Sequence, residues 1–412
     1  MSKSVLISGA GIAGSTLGYW LNKFGYRVTI IERSPIPRLT GQTVDIRDEG
    51  RDVISRMGIL DSIENLMTNE SGLRFVDDGN AIRAEHPRAG GKKSFVTDIE
   101  ILRADLCNVL LNLNKEEIEY IYGDTITSYI EGDDNVDVGF KSGARRQFDL
   151  VFIAEGMRSR TRELVFGYVP VHHIGLYTAY FAIPYEEQDG NWVRWHNCVG
   201  GKSVLLRPDR QKTSRAYLYI RSNERGLDLK DRPEVIRFIQ NTFQHDGWEV
   251  PRIIEGLRHA EDLYFEDLGQ IKMKSWSRGR IAILGDAAYC ATPISGMGTT
   301  LAIVGAYLLA RSLLENPVHA QAFASYEKKM RPYVNKAQAY NPWTIRLEQP
   351  DTKPGINFFY TLKKIDQYPL INLVKSLFNS NKYDPDLLGD ESLTTCQLTM
   401  TTKQRGGVSH DQ

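Results

Sequence analysis

The feature that most constrains the fold of this 412-residue chain is a glycine motif close to its N-terminus. The motif Gly9-Ala10-Gly11-Ile12-Ala13-Gly14 follows an apolar run at residues 5–8 and precedes a helical stretch that ends near Gly25. A β-branched run at residues 27–31 comes next and is closed by Glu32. Strand, tight turn, helix, strand and acid within about 30 residues are typical of a dinucleotide-binding βαβ unit. The motif therefore predicts a Rossmann-like α/β domain.

Each position of this unit has its own physical role. Gly9 permits the tight turn, Gly11 lets the backbone approach a pyrophosphate, and Gly14 lets the helix pack closely on the strand. The N-terminus of the helix offers unpaired N–H groups and a partial positive charge to phosphates. Glu32 is placed to accept hydrogen bonds from ribose hydroxyls. The cofactor-binding residues predicted from this unit are Gly9, Gly11, Ala13, Gly14, Glu32 and Arg33.

A second segment, Arg103-Ala104-Asp105-Leu106, opens a predicted helix at residues 104–113 and follows a strand-like run at residues 93–97. A guanidinium at the start of this helix could clamp a phosphate or reach a ribose through its planar fork. The alternative is an ordinary surface salt bridge, for example with Asp105. By itself Arg103 does not decide between the two.

The third segment is the most informative. An apolar strand at residues 280–284 runs into Gly285-Asp286-Ala287-Ala288, and a Pro/Gly loop at residues 292–298 then opens a long apolar helix at residues 299–314. Asp286 can accept from ribityl or ribose hydroxyls, and backbone N–H groups at a helix N-terminus can face a flavin ring. A loop that merely caps a core helix does not explain a carboxylate directly after an apolar strand. The residues assigned to the cofactor here are Asp286, Pro293, Gly296, Gly298 and Thr299.

Taken in this order, the three segments indicate FAD, and FAD indicates redox chemistry on a bound isoalloxazine ring. Lys+Arg and Asp+Glu both number 51, which argues against a nucleic acid or an anionic membrane as the main partner. The four cysteines show no CxxC spacing, so we expect a reducing compartment and no metal site. No apolar run reaches the roughly 18 residues that span a bilayer. We expect a cytoplasmic monomer.

The middle of the chain has a different sequence pattern from its two ends. Short runs rich in aromatic and β-branched residues predict an antiparallel sheet with one helix at residues 233–243. Such an inserted α+β domain would roof the flavin and form a substrate cavity at the domain interface. The predicted strands lie at residues 177–183, 192–196, 203–207 and 215–220.

The C-terminal segment has apolar residues at helical spacing. Phe358, Leu362 and Ile365 share one predicted helix face, and the period continues after Pro369 through residues 370–377. Two amphipathic helices that dock on the body are expected, either as simple packing or as a bridge from the FAD domain to the substrate domain. A helix on a membrane surface is a third reading.

The domain plan follows from the places of these motifs. The predicted fold is α/β: a Rossmann-like (GR2-type) FAD-binding domain, an inserted α+β substrate domain built on an antiparallel sheet, and C-terminal helices. The predicted ranges are 1–74, 98–170 and 276–340 for the FAD-binding domain, 75–97 and 171–275 for the substrate domain, 341–389 for the bridging helices, and 390–412 for a disordered tail.

Over about the first 340 residues the chain resembles the single-component, p-hydroxybenzoate hydroxylase-like FAD monooxygenases, and among them the tetracycline-inactivating monooxygenases. The segments that carry the likeness are Arg38-Leu39-Thr40-Gly41-Gln42-Thr43-Val44-Asp45, Ile271-Lys272-Met273-Lys274-Ser275-Trp276 and Gly285-Asp286-Ala287-Ala288-Tyr289-Cys290. The resemblance implies that Arg38 serves NADPH, and that Asp45, Arg103 and Asp286 serve FAD. The chain departs from the pattern at Glu155, Tyr289 and Met297, where aspartate, histidine and glutamine are usual.

The resemblance also implies the reaction. NADPH or NADH reduces the flavin, O2 adds to form a C4a-hydroperoxide, and an electron-rich carbon of a polyoxygenated fused-ring substrate is hydroxylated, with tetracyclines as the first candidates. No catalytic side chain stands out. Backbone dipoles at Gly296 and Gly298 would stabilise charge on the ring. Substrate contacts are expected from Phe95, Arg194 and His196.

Four alternatives remain open at this stage. The chain could be a hydroxylase of another aromatic polyketide or phenol, or a flavin reductase that transfers no oxygen. A non-enzymatic binding module on a dinucleotide fold is a third alternative. A flavin-dependent halogenase is disfavoured, because Trp192-Val193-Arg194-Trp195 is not the WxWxIP signature of those enzymes.

Overall fold

The computed structural model of the chain describes residues 2–38, 41–88, 99–210, 212–339, 341–366 and 387–389. The strands of these residues are β1 (Ser4–Ser8), β2 (Arg27–Glu32), β3 (Thr43–Ile46), β4 (Gly72–Val76), β5 (Ile82–Pro87), β6 (Ile99–Leu102), β7 (Glu119–Tyr122), β8 (Ile126–Glu131), β9 (Val136–Phe140), β10 (Arg145–Phe148), β11 (Leu150–Ile153), β12 (Val171–Pro184), β13 (Val193–Cys198), β14 (Lys202–Pro208), β15 (Thr213–Arg221), β16 (Tyr264–Ile271), β17 (Ser277–Arg278) and β18 (Ile281–Ile283). The helices are α1 (Ile12–Lys23), α2 (Glu49–Arg56), α3 (Leu60–Glu64), α4 (Arg103–Asn114), α5 (Arg160–Phe166), α6 (Arg232–Phe243), α7 (Val250–His259), α8 (Asp286–Tyr289), α9 (Gly298–Glu315), α10 (His319–Gln338), α11 (Pro342–Glu348) and α12 (Lys353–Ile365).

The first sheet carries the glycine motif. Its described strands run in the order β17-β18-β11-β1-β2-β7, and every neighbouring pair is parallel except β17–β18. All five residues of β1 are buried, as expected for a central parallel strand that is covered on both faces. Helices α1 and α9 pack against each other, and α9 also packs on α10. The antiparallel sheet β10-β9-β8 shares the same hydrophobic core.

The second sheet forms the inserted domain. Its described strands run in the order β16-β12-β15-β14-β13-β4-β5, antiparallel except for the pair β13–β4. Alternate residues of β14 face opposite sides, since side chains of a strand alternate. Val204 and Leu206 pack with the helices α6 and α7, whereas Leu205 faces away from them. One face of the inserted sheet therefore packs on α6 and α7, and the opposite face is directed away from these helices.

The predicted strands of the middle region overlap β12, β13, β14 and β15, and the predicted helix overlaps α6. Helix α7 was missed, although Ile253 and Leu257 give it a buried face. The strands β4, β5 and β16 also join this sheet. Because β4 begins at Gly72, the predicted domain boundary after residue 74 falls inside a strand.

A two-stranded antiparallel sheet, β3–β6, contacts the inserted domain beside the first sheet's glycine motif. The backbone N–H of Thr43 donates to the Tyr217 hydroxyl of β15 over 3.0 Å, and that hydroxyl donates to Thr43 Oγ1 over 3.0 Å. This small sheet therefore connects the nucleotide-binding part of the chain to the inserted sheet.

The C-terminal helix α12 docks on the inserted sheet through a face other than the predicted one. Ile356, Phe359 and Tyr360 are buried, and Phe359 meets Phe75 of β4 with ring centres 5.5 Å apart. Phe358 is 58% exposed, so the expectation that Phe358, Leu362 and Ile365 form the docking face was wrong. The spacing of apolar residues fits both faces equally, and only the shape of the sheet selects between them.

Helix α11 also contacts the loop before α9, because Ile345 packs with Leu268 of β16 and with Ile294. The second predicted C-terminal helix and the tail at residues 390–412 lie outside the described residues. Among the described helices, none combines the length and apolarity that a membrane crossing requires.

Candidate functional site

A cavity of about 940 Å³ lies between the first sheet and the inserted sheet and is lined from both. It reaches from the glycine motif to the aromatic face of the inserted sheet. Most of the residues that the sequence assigned to a cofactor line it, although they come from widely separated segments. These residues are Gly9, Gly11, Ala13, Glu32, Arg33, Arg38, Asp45, Arg103, Asp286, Pro293, Gly296, Gly298 and Thr299.

Gly14 does not line the cavity but shapes it from behind. A Cβ atom at Gly14 would overlap the carbonyl oxygen of Gly9, so helix α1 can approach the turn only with glycine there. Gly9 itself has φ +110°, and a Cβ on it would lie 2.5 Å from the Ala154 carbonyl oxygen. Gly11 is the N-cap of α1 and supplies no side-chain cap. The first-turn N–H groups of α1 therefore face the cavity as anion donors.

Glu32 stands at the end of β2, at the edge of the cavity. Its carboxylate accepts from the N–H of Ala10 over 3.0 Å and from the N–H of Ser34 over 2.9 Å. These bonds fix the carboxylate beside the turn, where a ribose would lie next to it. A carboxylate oxygen can accept more than one hydrogen bond, so this position remains able to receive hydroxyl groups.

Asp286 is the first residue of α8, directly after β18 and the left-handed Gly285 (φ +63°). The Asp286 side chain is exposed to the cavity, and protein surrounds the cavity at this point. This desolvation raises the pKa of the carboxyl, and the positive charge of Arg103 partly offsets the rise. Asp286 is therefore a strong acceptor for a hydroxyl group that enters the cavity.

The β3 strand places an ion pair beside the loop at residues 293–298. Arg47 Nη2 lies 2.8 Å from Asp45 Oδ2, and a Cβ on Gly296 would come within 3.0 Å of the same guanidinium nitrogen. The N–H of Arg47 donates to Thr300 Oγ1 of α9 over 3.0 Å. Sequence reasoning missed Arg47, which directly follows β3 and stands two residues after Asp45.

The Glu155 departure has a structural explanation. The Glu155 carboxylate accepts from Ser159 Oγ over 2.8 Å, from the N–H of Thr161 over 3.1 Å, and from Ser8 Oγ. It thus joins the end of β1 to the start of α5 while one side lines the cavity. These bonds fix the Glu155 side chain within the protein.

The other two departures from the family pattern, Tyr289 and Met297, lie away from the cavity wall. The Tyr289 hydroxyl lies 3.0 Å from the Tyr326 hydroxyl in the buried core, and its ring packs on Trp276. Met297 is the N-cap of α9 and is partly buried against the main core. Neither residue lines the cavity.

Arg194 and His196 do not belong to the cavity, which corrects the expectation that they orient a substrate. Arg194 pairs with Asp189 at 2.6 Å and with Glu249 at 3.0 Å. His196 Nδ1 lies 3.1 Å from the Val76 carbonyl, and burial lowers the pKa of the imidazole. Both residues point to the face of β13 opposite to the cavity, because side chains alternate along a strand. The third expected substrate contact, Phe95, lies outside the described residues.

The neighbours of those two residues on β13 line the cavity instead. Val193 and Trp195 face it together with Tyr180 of β12 and with Tyr217 and Tyr219 of β15. We call Tyr180, Trp195, Tyr217 and Tyr219 the aromatic wall. Arg207 of β14 and Glu100 of β6 add charged groups at the same end. The alternation of the strands could have indicated the wall, but no local pattern brings Glu100 to Arg207.

Known proteins share this chain's sequence and fold. The chain matches the FAD binding domain family over residues 2–339. A flavin-dependent monooxygenase from an unidentified prokaryote is 36% identical over 351 residues, which are 83% of this chain and 89% of that relative. The crystal structure of tetracycline destructase Tet(51) has a TM-score of 0.77 and 30% identity, covering 93% of this chain and all of that one. That of tetracycline destructase Tet(55) has a TM-score of 0.76 and 33% identity, covering 88% and 97%.

An α/β nucleotide-binding fold with a cavity under an inserted sheet defines an FAD-dependent oxidoreductase. More particularly, the chain belongs to the FAD binding domain family and is an FAD-dependent monooxygenase. Its residues fit that cofactor. The uncapped start of α1 offers donors for the pyrophosphate, and Glu32 and Asp286 offer acceptors for hydroxyl groups. A Cβ on Gly298 would meet nothing within 4 Å, which leaves the backbone at the start of α9 open to the ring.

Proposed function

We propose that this enzyme hydroxylates a polyoxygenated fused-ring substrate, with tetracyclines as the first candidates, and that NADPH or NADH is the reductant. The observation that supports the proposal is the continuity of one cavity from the glycine motif to the aromatic wall. A volume of about 940 Å³ lies near the upper end of the range for single-ligand pockets, about 300–1,000 Å³. Such a space suits an extended nucleotide with a second ligand at its far end.

FAD, when bound, accepts hydride from a nicotinamide and activates O2. The protein's part is to hold, orient and shield. The start of α1, Glu32 and Asp286 would hold the nucleotide part, while Asp45 and the loop at residues 293–298 would adjoin the ring. Backbone N–H groups at the start of α9 favour negative charge on a neighbouring group. The inserted sheet covers the cavity and limits the access of water, which favours productive oxygen transfer.

Several cations support a phosphate-bearing reductant. Arg33, Arg38, Arg158 and Arg160 line the cavity, and Arg158 is ion-paired with Asp228. Guanidinium groups suit phosphates because they donate two parallel hydrogen bonds. We expect Arg38, the position implied by the family resemblance, to contribute to the binding of NADPH.

The aromatic wall supports a flat, ring-containing substrate. Trp195 and Tyr219 stack with ring centres 5.8 Å apart and planes 10° apart, so they present an ordered aromatic surface. Tetracyclines are favoured among such substrates because two tetracycline destructases share the fold at 30% and 33% identity. The wall suits other aromatic polyketides and phenols as well, and these form the alternative substrate class.

The test uses the purified FAD-loaded protein, NADPH and 18O2. If tetracycline is the substrate, its addition accelerates NADPH oxidation and one labelled oxygen atom appears in the product. NADPH oxidation that yields only hydrogen peroxide with tetracycline, but labelled product with a simpler phenol or polyketide, would support the alternative class. The absence of labelled product from every such compound would identify a flavin reductase.

We also propose that the enzyme acts as a cytoplasmic monomer without a nucleic acid or membrane partner. The balance of 51 basic and 51 acidic residues supports this, because binding to polyanions generally requires excess positive charge. Light scattering coupled to size-exclusion chromatography tests the monomer, with a mass near 46.7 kDa expected.

A further inference from the structure

Two carboxylates and one guanidinium meet at the substrate end of the cavity. Arg207 Nη2 of β14 lies 3.3 Å from Glu100 Oε1 of β6, and Arg207 Nε lies 3.4 Å from Glu70 Oε1 in the segment before β4. The side chains of Glu70 and Glu100 are only 1% and 3% exposed. Glu100 and Arg207 line the cavity, whereas Glu70 stands behind them.

This buried cluster lacks the hydrogen bonds that such groups require. Glu100 Oε2, both carboxylate oxygens of Glu70 and Arg207 Nε have no hydrogen-bond partner among the described residues. Buried charged groups are normally paired and hydrogen-bonded, because an unsatisfied one keeps its full desolvation penalty. The unsatisfied Glu100 belongs to the cavity wall. The cluster is therefore incomplete without a ligand or a proton.

The surroundings of Glu100 favour a proton on it. Arg207 faces it from β14, Glu70 from the segment before β4, Asp45 from β3, and Arg88 from the end of β5. Burial raises the pKa of Glu100 to about 7, with Asp45 and Glu70 adding to the rise and the two arginines opposing it. Two carboxylates that share one guanidinium titrate as a pair, and the cavity-side member can exchange its proton near neutral pH.

We propose that Glu100 and Arg207 form a site for an acidic hydroxyl group of the substrate, a phenol or an enol. Glu100 accepts the proton of that O–H group, and Arg207 pairs with the oxyanion that remains. The substrate O–H bond breaks, an O–H bond forms on the Glu100 carboxylate, and the electron pair stays on the substrate oxygen. The inference rests on the proposed function, since it names the group of that substrate which the protein recognises.

The chemical consequence is activation of the substrate ring. An ionised phenol or enol is more electron-rich than the neutral form, and electrophilic oxygen transfer requires an electron-rich carbon. A positioned base of this kind contributes about 10²–10⁴-fold to a rate. Arg207 stabilises the oxyanion, because a guanidinium stays charged at any pH at which the protein is folded.

The first measurement needs no substrate. Infrared difference spectra of the FAD-loaded protein, recorded across neutral pH, should show carboxylic acid C=O absorption that titrates in the wild type and loses the share of one carboxyl in Glu100→Gln. Glu266, whose pKa burial also raises to about 7, should keep its own share. The control is Glu49→Gln, a half-buried carboxyl of α2 whose pKa is also raised by burial but which does not line the cavity. A wild-type protein without this absorption, or equal absorption in the wild type and Glu100→Gln, would overturn the proposal.

The second measurement uses 4-nitrophenol, whose neutral and ionised forms absorb at different wavelengths. We expect the FAD-loaded wild type to convert bound 4-nitrophenol to the phenolate at a pH at which the free probe is mostly neutral. Arg207→Gln should lose this conversion, because it removes the cation that pairs with the oxyanion, and Glu49→Gln should keep it. Equal ionisation in Arg207→Gln, or none in the wild type, would show that the cluster takes no acidic hydroxyl.

Two features keep the test decisive. If the Glu100→Gln protein does not retain FAD, the Glu70→Gln protein is measured in its place. Loss of that neighbouring charge should move the infrared titration and the probe ionisation to lower pH, and unchanged titrations would count against the proposal. Neither measurement involves turnover. Arg207-dependent ionisation without any hydroxylation would therefore refute the proposed function and leave this site intact.

Discussion

The rings of Trp195 and Tyr219, on strands β13 and β15, stack with centres 5.8 Å apart and with planes 10° apart on the wall of the cavity. The two residues are separated by strand β14, so neither proximity in sequence nor direct strand pairing explains the contact. The stack gives the substrate end of the cavity a flat surface that is set before any ligand arrives. Two residues on the same face of one sheet are enough to form it.

We expect Tyr219→Leu to weaken substrate binding without loss of FAD. Ordered aromatic pairs contribute about 0.5–1.5 kcal/mol beyond buried area, so the Kd for a ring-containing substrate should rise roughly 2–13-fold. Quenching of flavin fluorescence by tetracycline measures the change, and the flavin-to-protein absorbance ratio serves as the control. An unchanged Kd would show that the wall does not contact the substrate.

Gly14→Ala should destabilise the protein and remove FAD. The new methyl group would overlap the Gly9 carbonyl, and two backbone segments cannot separate without disturbing the turn. We expect a loss of about 1–3 kcal/mol in the free energy of unfolding, measured by urea denaturation. The matched control is Gly247→Ala, where a Cβ meets nothing within 4 Å and φ is not positive. Equal stability of the two variants would contradict the role given to Gly14.

Asp286→Asn should have opposite effects on cofactor binding and on the stability of the FAD-free protein. Loss of a charge-assisted hydrogen bond, about 1.5–3 kcal/mol, should weaken FAD binding roughly 10–150-fold. Burial raises the pKa of Asp286, so the folded protein binds this proton more tightly than the unfolded chain does. The stability of the FAD-free wild type should therefore fall as the pH rises through the folded pKa.

For that reason the FAD-free Asp286→Asn protein should be more stable than the wild type at neutral pH, and the difference should vanish once the wild-type carboxyl is protonated. Thermal unfolding at a series of pH values and equilibrium dialysis with FAD measure the two effects. A variant that binds FAD as tightly as the wild type would refute the assignment of this carboxylate.

Tyr360→Phe should weaken the docking of α12. The Tyr360 hydroxyl donates to the Val76 carbonyl over 2.9 Å and accepts from the N–H of Asn197 over 3.0 Å, where the pairing of β4 with β13 ends. Its removal leaves the buried N–H of Asn197 unsatisfied, which costs about 1–3 kcal/mol, whereas the Val76 carbonyl keeps its contact with His196 Nδ1. Urea denaturation should show this loss, and Tyr168→Phe, at an 81% exposed residue, should not. No difference between the two would mean that water replaces the hydroxyl.

The sequence alone determined the parts of this protein whose physics is local. The turn at Gly9, the close packing at Gly14 and the position of Glu32 follow from the needs of one βαβ unit that spans about 30 residues. Asp286 after an apolar strand is equally local, because the end of a buried parallel strand is where such folds place their ligands. These features lie on the cavity or directly behind it.

The tertiary structure alone decided which side chains face the substrate. Arg194 and His196 stand one residue away from the cavity-lining Val193 and Trp195, and a shift of one residue changes the face of a strand. Helix α12 had two apolar faces, and the surface of the sheet selected the one with Phe359. Glu100 and Arg207 are separated by more than a hundred residues, and their contact exists only because β6 and β14 meet at the domain interface. Long-range packing leaves no local pattern, so the substrate end of the site could be found only in the folded protein.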